Sequence, residues 1–90
     1  MIRARLLVEG RVQGVGYRAF TVRAAQRRSL RGWVRNLPDG RVEIEAEGSR
    51  DNLEGLIRDL EQGPPLANVE RVHVEWLAPT GEAQDFRIVY

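Results

Sequence analysis

The sequence has 90 residues, of which 42% are hydrophobic, so we expect one small domain over residues 1–90 with a single modest core. Its 14 basic residues, all arginine, are mixed with 13 acidic residues, and the net charge of +1 argues against a sequence-independent nucleic-acid binder. The absence of cysteine excludes disulfides, thiolate nucleophiles and cysteine metal sites. No apolar run is long enough for a signal sequence or a membrane span. We therefore expect a cytoplasmic protein.

The N-terminal segment predicts a strand, a glycine-rich loop and a helix. From Ala4 to Val12 every second residue is apolar or glycine, which is the period of a half-buried strand. Residues 17 to 28 then place Tyr17, Phe20 and Ala24 at spacings of three and four, as the buried face of an amphipathic helix requires.

The next segment predicts an antiparallel hairpin. RGWVRN (residues 31–36) and RVEIEAEG (residues 41–48) flank LPDG, whose last three residues are strong turn formers. In the second strand Glu43, Glu45 and Glu47 alternate with apolar residues. We therefore expect one face of the sheet to be solvated, with these glutamates paired to arginines of neighbouring strands.

A second helix and two further strands complete the pattern. Ser49 can cap the helix, whose apolar residues fall at i, i+3, i+4 and i+7: Leu53, Leu56, Ile57 and Leu60. Alternating apolar residues predict a fourth strand around residues 71–76, and DFRIVY predicts a short fifth. His73, in the fourth strand, has no second ligand at a suitable spacing and is expected to be solvated rather than metal-bound.

The order strand, helix, strand, strand, helix, strand, with a short C-terminal strand, is typical of the α+β ferredoxin-like split βαβ sandwich. Both helices are expected to cover the apolar face of a mainly antiparallel sheet. In that topology the first two strands run parallel with the third between them, so their C-terminal ends share one edge of the sheet.

The loop within GRVQGVGYRAF (residues 10–20) admits three interpretations. Gly14, Gly16 and Ala19 match the dinucleotide pattern GxGxxA, but that fold needs successive parallel strands and the hairpin after the first helix excludes them. Glycines also serve tight turns, where they supply positive φ. Alternatively, free backbone N–H groups at a helix start can hold a phosphate, and Arg18, whose charge opposes the helix dipole there, would then face an anion.

Asn36 ends the second predicted strand, so it lies at the same edge of the sheet as the glycine loop. It can reach a ligand shared with Arg18. It can equally be a turn residue that bonds its own backbone, and the residues alone leave both interpretations open.

The sequence resembles the acylphosphatase family over essentially its whole length. The resemblance rests on GRVQGVGYR at residues 10–18 and GWVRNLPDGRVEIEAEG at residues 32–48, two long motifs at the family's separation. It implies the ferredoxin-like fold and hydrolysis of the carboxyl–phosphate bond of acyl phosphates to carboxylate and inorganic phosphate.

The resemblance also implies residue roles. The family's phosphate-binding arginine falls on Arg18 and its water-orienting asparagine on Asn36. The resemblance assigns the phosphate cradle to the loop amides of Gly14, Val15, Gly16, Tyr17 and Arg18. It also implies that a phosphate oxygen of the substrate accepts the proton of the attacking water. The expected partners are an acyl phosphate and inorganic phosphate, as product or inhibitor, and we expect a monomer without metal, organic cofactor, nucleic acid or membrane.

One position departs from the family pattern. Many members carry a glycine where Ser29 closes the first helix. We therefore expect a non-glycine residue in a left-handed or tightened turn, at a cost of about 1 kcal/mol.

Two other functions share this fold or this loop. RNA-binding modules of the same topology place stacking aromatics on the open sheet face, where this chain has three glutamates that would repel a phosphodiester backbone. A regulatory domain that binds phosphate without turnover could use the same cradle, so the residues alone do not separate it from an enzyme.

Overall fold

The computed structural model describes all 90 residues, Met1–Tyr90. Its elements in chain order are β1 (Ile2–Arg11), α1 (Tyr17–Arg27), β2 (Arg31–Asn36), β3 (Val42–Gly48), α2 (Arg50–Gln62), β4 (Asn68–Leu77) and β5 (Phe86–Ile88). The predicted order of elements is confirmed. Neither helix is long and apolar enough to cross a membrane.

The five strands form one sheet in the order β4-β1-β3-β2-β5. β3 pairs antiparallel with both β1 and β2, so these two run in the same direction on either side of it. β5 adds to the far side of β2 as a parallel strand. The predicted ferredoxin-like arrangement is confirmed, and the ends of β1 and β2 lie at one edge of the sheet.

The core lies between one face of the sheet and both helices. Leu6, Ile44 and Val34 come from three adjacent strands and are fully buried. They belong to a single cluster of 16 buried residues that includes Ala24 of α1 and Leu53 of α2. The alternation in the sequence therefore predicted the buried face correctly, because side chains of a strand point to opposite faces in turn.

The opposite face of the sheet differs from the expectation of a solvated glutamate row. Glu43 and Glu47 are only 3% and 4% exposed. The carboxylate of Glu43 lies between Arg5 and Arg35, with a closest N–O distance of 2.7 Å to each. The predicted pairing with strand arginines is confirmed, but full solvation is wrong for these two residues because the arginines cover them.

Glu47 also fastens the loop between β4 and β5. Its Oε1 accepts a hydrogen bond from the backbone N–H of Thr80 and its Oε2 accepts one from that of Gly81, each at 2.8 Å. Arg3 donates to the same carboxylate at 3.2 Å. These donors, the Thr80 N–H foremost, hold the pKa of Glu47 below its usual range. Burial raises the pKa of Glu43, but the hydrogen bonds from Arg35 and Arg5 outweigh it and the net shift is downward.

Both shifts predict loss of stability in acid. A carboxyl whose pKa is lower in the folded state stabilises the fold above its unfolded pKa, and this contribution disappears as pH falls through the folded value. The free energy of unfolding, measured by urea titration, should therefore be flat from neutral pH to about 4.5 and fall at lower pH. Glu47→Gln should lower stability at pH 7 and flatten this fall, whereas Glu61→Gln, an exposed control, should do neither. Parallel pH curves for wild type and Glu47→Gln would contradict the assignment.

Helix α1 ends in the turn expected at Ser29, whose φ of 55° lies in the left-handed region. The N–H of Leu30 donates to the carbonyl of Ala25 at 3.0 Å and that of Ser29 to Gln26 at 3.1 Å. These two bonds form a Schellman motif, in which the position of Ser29 normally favours glycine. The prediction of a non-glycine residue in a left-handed turn is confirmed.

Ser29→Gly should raise the free energy of unfolding by about 0.5 to 1 kcal/mol, because glycine adopts this φ without the clash of a Cβ. Ser49→Gly provides a matched control. Ser49 has an ordinary φ of −70° and caps α2, so its replacement should lower stability by roughly a few tenths of a kcal/mol. Urea unfolding measures both changes. An unchanged or lower stability for Ser29→Gly would contradict the claim that Ser29 is strained.

Candidate active site

The loop between β1 and α1 is shaped by two glycines. Gly14 has a φ of 72° and Gly16 a φ of 79°, both in the left-handed region that favours glycine. A Cβ built at either position would meet no atom within 4 Å. The glycines therefore serve the backbone conformation, and the space beside them stays open.

The backbone donors of this loop have no partner within the protein. None of the N–H groups of residues 14–19 donates to a backbone carbonyl or a side chain. Gly16, the residue before the helix, provides no side-chain cap, and no acidic residue lies in the first turn of α1. Free N–H groups and the positive end of a helix dipole together favour a bound anion.

Arg18 lies in the first turn of α1, as predicted. Its side chain is in none of the ion pairs of the structure, and its guanidinium carbon lies 5.5 Å from the ring centre of Tyr90. Its charge is therefore not neutralised by a carboxylate and remains available to an anion.

Asn36 is the last residue of β2. Its side-chain oxygen Oδ1 is buried and has no hydrogen-bond partner. An unpaired buried acceptor is costly, at about 1 to 3 kcal/mol, so it needs an explanation. A turn residue that bonded its own backbone would use this oxygen, and Asn36 does not do so.

Arg18 and Asn36 line one cavity of about 160 Å³. The other lining residues are Val12, Gly14, Gly16, Tyr17, Ala19 and Ile88. Of the predicted cradle, Val15 does not line the cavity, and its side chain packs against the core instead. The sequence gives no signal for Ile88, because only the parallel pairing of β5 with β2, which places Ile88 opposite Val34, brings it to this cavity.

Tyr17 holds the start of α1 against the end of α2. Its hydroxyl donates to the backbone carbonyl of Leu60 at 2.7 Å. The usual donor to that carbonyl would be residue 64, which is a proline and has no N–H. Burial holds the pKa of Tyr17 well above its usual range, so the hydroxyl remains a donor. The loop is thus fixed at its helical end.

A larger cavity of about 540 Å³ lies on the opposite side of the sheet, between Trp33, Arg87 and the loop after β4. It contains neither Arg18 nor Asn36. His73 contacts Glu9 across β1 and β4, and no group of three or more His, Asp or Glu side chains is arranged to hold a metal ion.

Comparison with known proteins agrees with the fold and the motifs. The acylphosphatase family model matches residues 4–88. The chain belongs to the acylphosphatase family. It is 49% identical to an acylphosphatase of Anaeromyxobacter dehalogenans, over 97% of this chain and 94% of that protein. It is 50% identical to an acylphosphatase of Thermococcus kodakarensis, over 98% and 96%.

Solved acylphosphatase structures also match this chain. The crystal structure of acylphosphatase from Bacillus subtilis has a TM-score of 0.97 and 41% identity, with all of both chains covered. The acylphosphatase structure from Coxiella burnetii has a TM-score of 0.89 and 37% identity, over 98% of this chain and 92% of that one. The family, the fold and the activity expected from the sequence, hydrolysis of acyl phosphates, are confirmed.

Proposed function

We propose that acyl phosphate hydrolysis takes place in the cavity between Arg18 and Asn36. The observation that carries this proposal is that Asn36, whose buried Oδ1 has no hydrogen-bond partner, lines the same cavity as Arg18, which has no carboxylate partner. The loop side of the cavity supplies positive charge and free donors, and Asn36 supplies an amide whose Oδ1 is a free acceptor. An anion and a water molecule together would satisfy both.

The phosphoryl group binds to the loop side of the cavity. The amides of residues 14–18 and the guanidinium of Arg18 donate to its oxygens, and a planar guanidinium can do so through two parallel bonds. Charge on these oxygens changes during transfer, so preorganised donors stabilise the transition state. Because these groups supply the required positive charge, the proposed reaction needs no metal or organic cofactor.

Asn36 orients the attacking water. Its Oδ1 accepts a hydrogen bond from the water, which leaves a lone pair of the water oxygen free to attack phosphorus. The new bond forms from the water oxygen to phosphorus, and the bond from phosphorus to the acyl oxygen breaks. The carboxylate leaves with the electron pair of the broken bond. Positioning contributes most here, since the mixed anhydride already carries a good leaving group.

The water must also lose a proton. None of the side chains that line the cavity is a carboxylate or a histidine. We therefore assign the proton to a phosphoryl oxygen of the substrate, so that the products are a carboxylate and dihydrogen phosphate.

A regulatory domain that only binds phosphate fits this cavity less well. Anion binding needs only donors, such as the Nδ2 group of Asn36, and leaves the acceptor Oδ1 of the same amide without a role. A buried acceptor next to an anion site is useful only when a donor such as water lies between them.

We further propose that the protein acts as a cytoplasmic monomer formed by one domain, residues 1–90. The chain has no cysteine and so forms no disulfide, the bond that is typical of oxidising compartments and rare in the cytoplasm. The large hydrophobic residues most exposed to solvent, Met1, Leu66, Val74 and Tyr90, are separated along the chain. Both groups proposed to act on the substrate come from the same chain.

Arg18→Lys should abolish most of the activity, because an ammonium group is a point charge and cannot make the two parallel bonds of a guanidinium. The release of phosphate from benzoyl phosphate measures this. Arg23→Lys, an exposed position on the same helix, is the matched control and should keep the wild-type rate. If Arg18→Lys hydrolyses benzoyl phosphate at a rate close to that of the control, Arg18 does not have the proposed role.

Asn36→Ala should lower kcat by about 100-fold or more while substrate affinity is largely kept, as expected for loss of a preorganised group that acts in the transition state. Its free energy of unfolding should not decrease, because the variant removes an unpaired buried acceptor. Asn68→Ala, at an exposed position of β4, is the control for both measurements. A loss of affinity at unchanged kcat would instead make Asn36 a binding residue.

A further inference from the structure

The side chain of Gln13 connects two parts of the active site that are far apart in sequence. Its Nε2 donates to the carbonyl of Leu37 at 2.8 Å and to that of Arg41 at 3.0 Å. An amide nitrogen has two hydrogens, so both are used. Because both partners are carbonyl oxygens, the nitrogen of the Gln13 amide must face them.

The two carbonyls lie at the base of the turn between β2 and β3. Leu37 directly follows Asn36, and its own N–H donates to the carbonyl of Arg41 at 2.8 Å. Gly40 closes the turn with a bond of 3.2 Å to Leu37. Gln13 therefore holds the chain at the point where it leaves Asn36.

No other hydrogen bond joins residues 12–16 to residues 37–41. The loop and the turn are ends of two strands that do not pair with each other, since β3 lies between them. The sheet fixes the two strands and Tyr17 fixes the helical end of the loop, while the amide of Gln13 is the hydrogen-bonded link between the start of the loop and the end of β2.

We infer that Gln13 is a positioning residue, which sets the distance between the phosphate cradle and the side chain of Asn36. This inference rests on the proposed function, since it assumes that Asn36 orients the water. In-line attack requires reacting atoms within a narrow range of distance and angle, and a misplacement of about 1 Å can reduce the rate by about 100-fold. Gln13 then affects the rate without contacting the substrate.

Gln13→Met is the first test, because methionine has a similar length and no N–H group. We expect kcat for benzoyl phosphate to fall by about tenfold, the scale of a modest misplacement. Inhibition by inorganic phosphate should change less than about twofold, because the loop amides and Arg18 remain. The side chain in Gln13→Asn is one methylene shorter, so its amide nitrogen lies farther from the two carbonyls. This variant should also lower kcat.

Asp39→Ala is the matched control in the same turn. Asp39 accepts bonds from the backbone and the side chain of Arg41 but does not contact Gln13. Its loss disturbs the turn and leaves the connection to the loop intact, so kcat should stay at the wild-type value. Circular dichroism at the assay temperature verifies that each variant is folded.

A double-mutant cycle with Asn36→Ala tests whether Gln13 affects kcat through Asn36. If Gln13 acts by placing Asn36, then Gln13→Met should change the residual rate of Asn36→Ala by less than about twofold. Three results would overturn the inference. The first is a wild-type kcat in folded Gln13→Met, and the second is a tenfold loss of kcat when Gln13→Met is added to Asn36→Ala. The third is inhibition by phosphate that weakens by as large a factor as kcat falls. A wild-type kcat for Asn36→Ala would overturn the proposed function itself, and this inference with it.

Discussion

The site depends on the antiparallel pairing of β3 with both β1 and β2. This pairing makes β1 and β2 parallel to each other and separates them by one strand, so both end at the same edge of the sheet. One end leads into a loop of free N–H groups, and the other ends in an amide side chain. Arg18 and Asn36 are 18 positions apart, and only this arrangement of strands brings them to one cavity.

The distribution of unpaired polar groups separates the site from the rest of the chain. Away from the cavity, even the buried carboxylates Glu43 and Glu47 have several donors. At the cavity, the N–H groups of residues 14–19 and Oδ1 of Asn36 have none within the protein. Unpaired groups of this kind lower stability and are found where a ligand completes them. The side chains of Gln13 and Tyr17 bond to backbone carbonyls on either side of these groups.

Most of the fold could be predicted from the sequence because its strands and helices have clear periods. The turn at Ser29 could also be anticipated, since serine stands there in place of the family's glycine. The burial of Glu43 and Glu47 could not be predicted. Alternation shows on which face of the sheet a side chain lies, but it does not show that arginines and a loop cover that side chain. Gln13 and Ile88 carry no such signal in the sequence, because Gln13 bonds to Leu37 and Ile88 pairs with Val34, and only the folded chain brings these residues together.

The central claim is that the small cavity at the ends of β1 and β2 binds the phosphoryl group. A titration of the ¹⁵N-labelled protein with inorganic phosphate, followed by amide NMR spectra, tests this most directly. Saturable shifts should concentrate on the backbone amides of residues 14–19 and on the side-chain amide of Asn36. Shifts that concentrate instead around Trp33 and Arg87, in the larger cavity on the opposite side of the sheet, would contradict it.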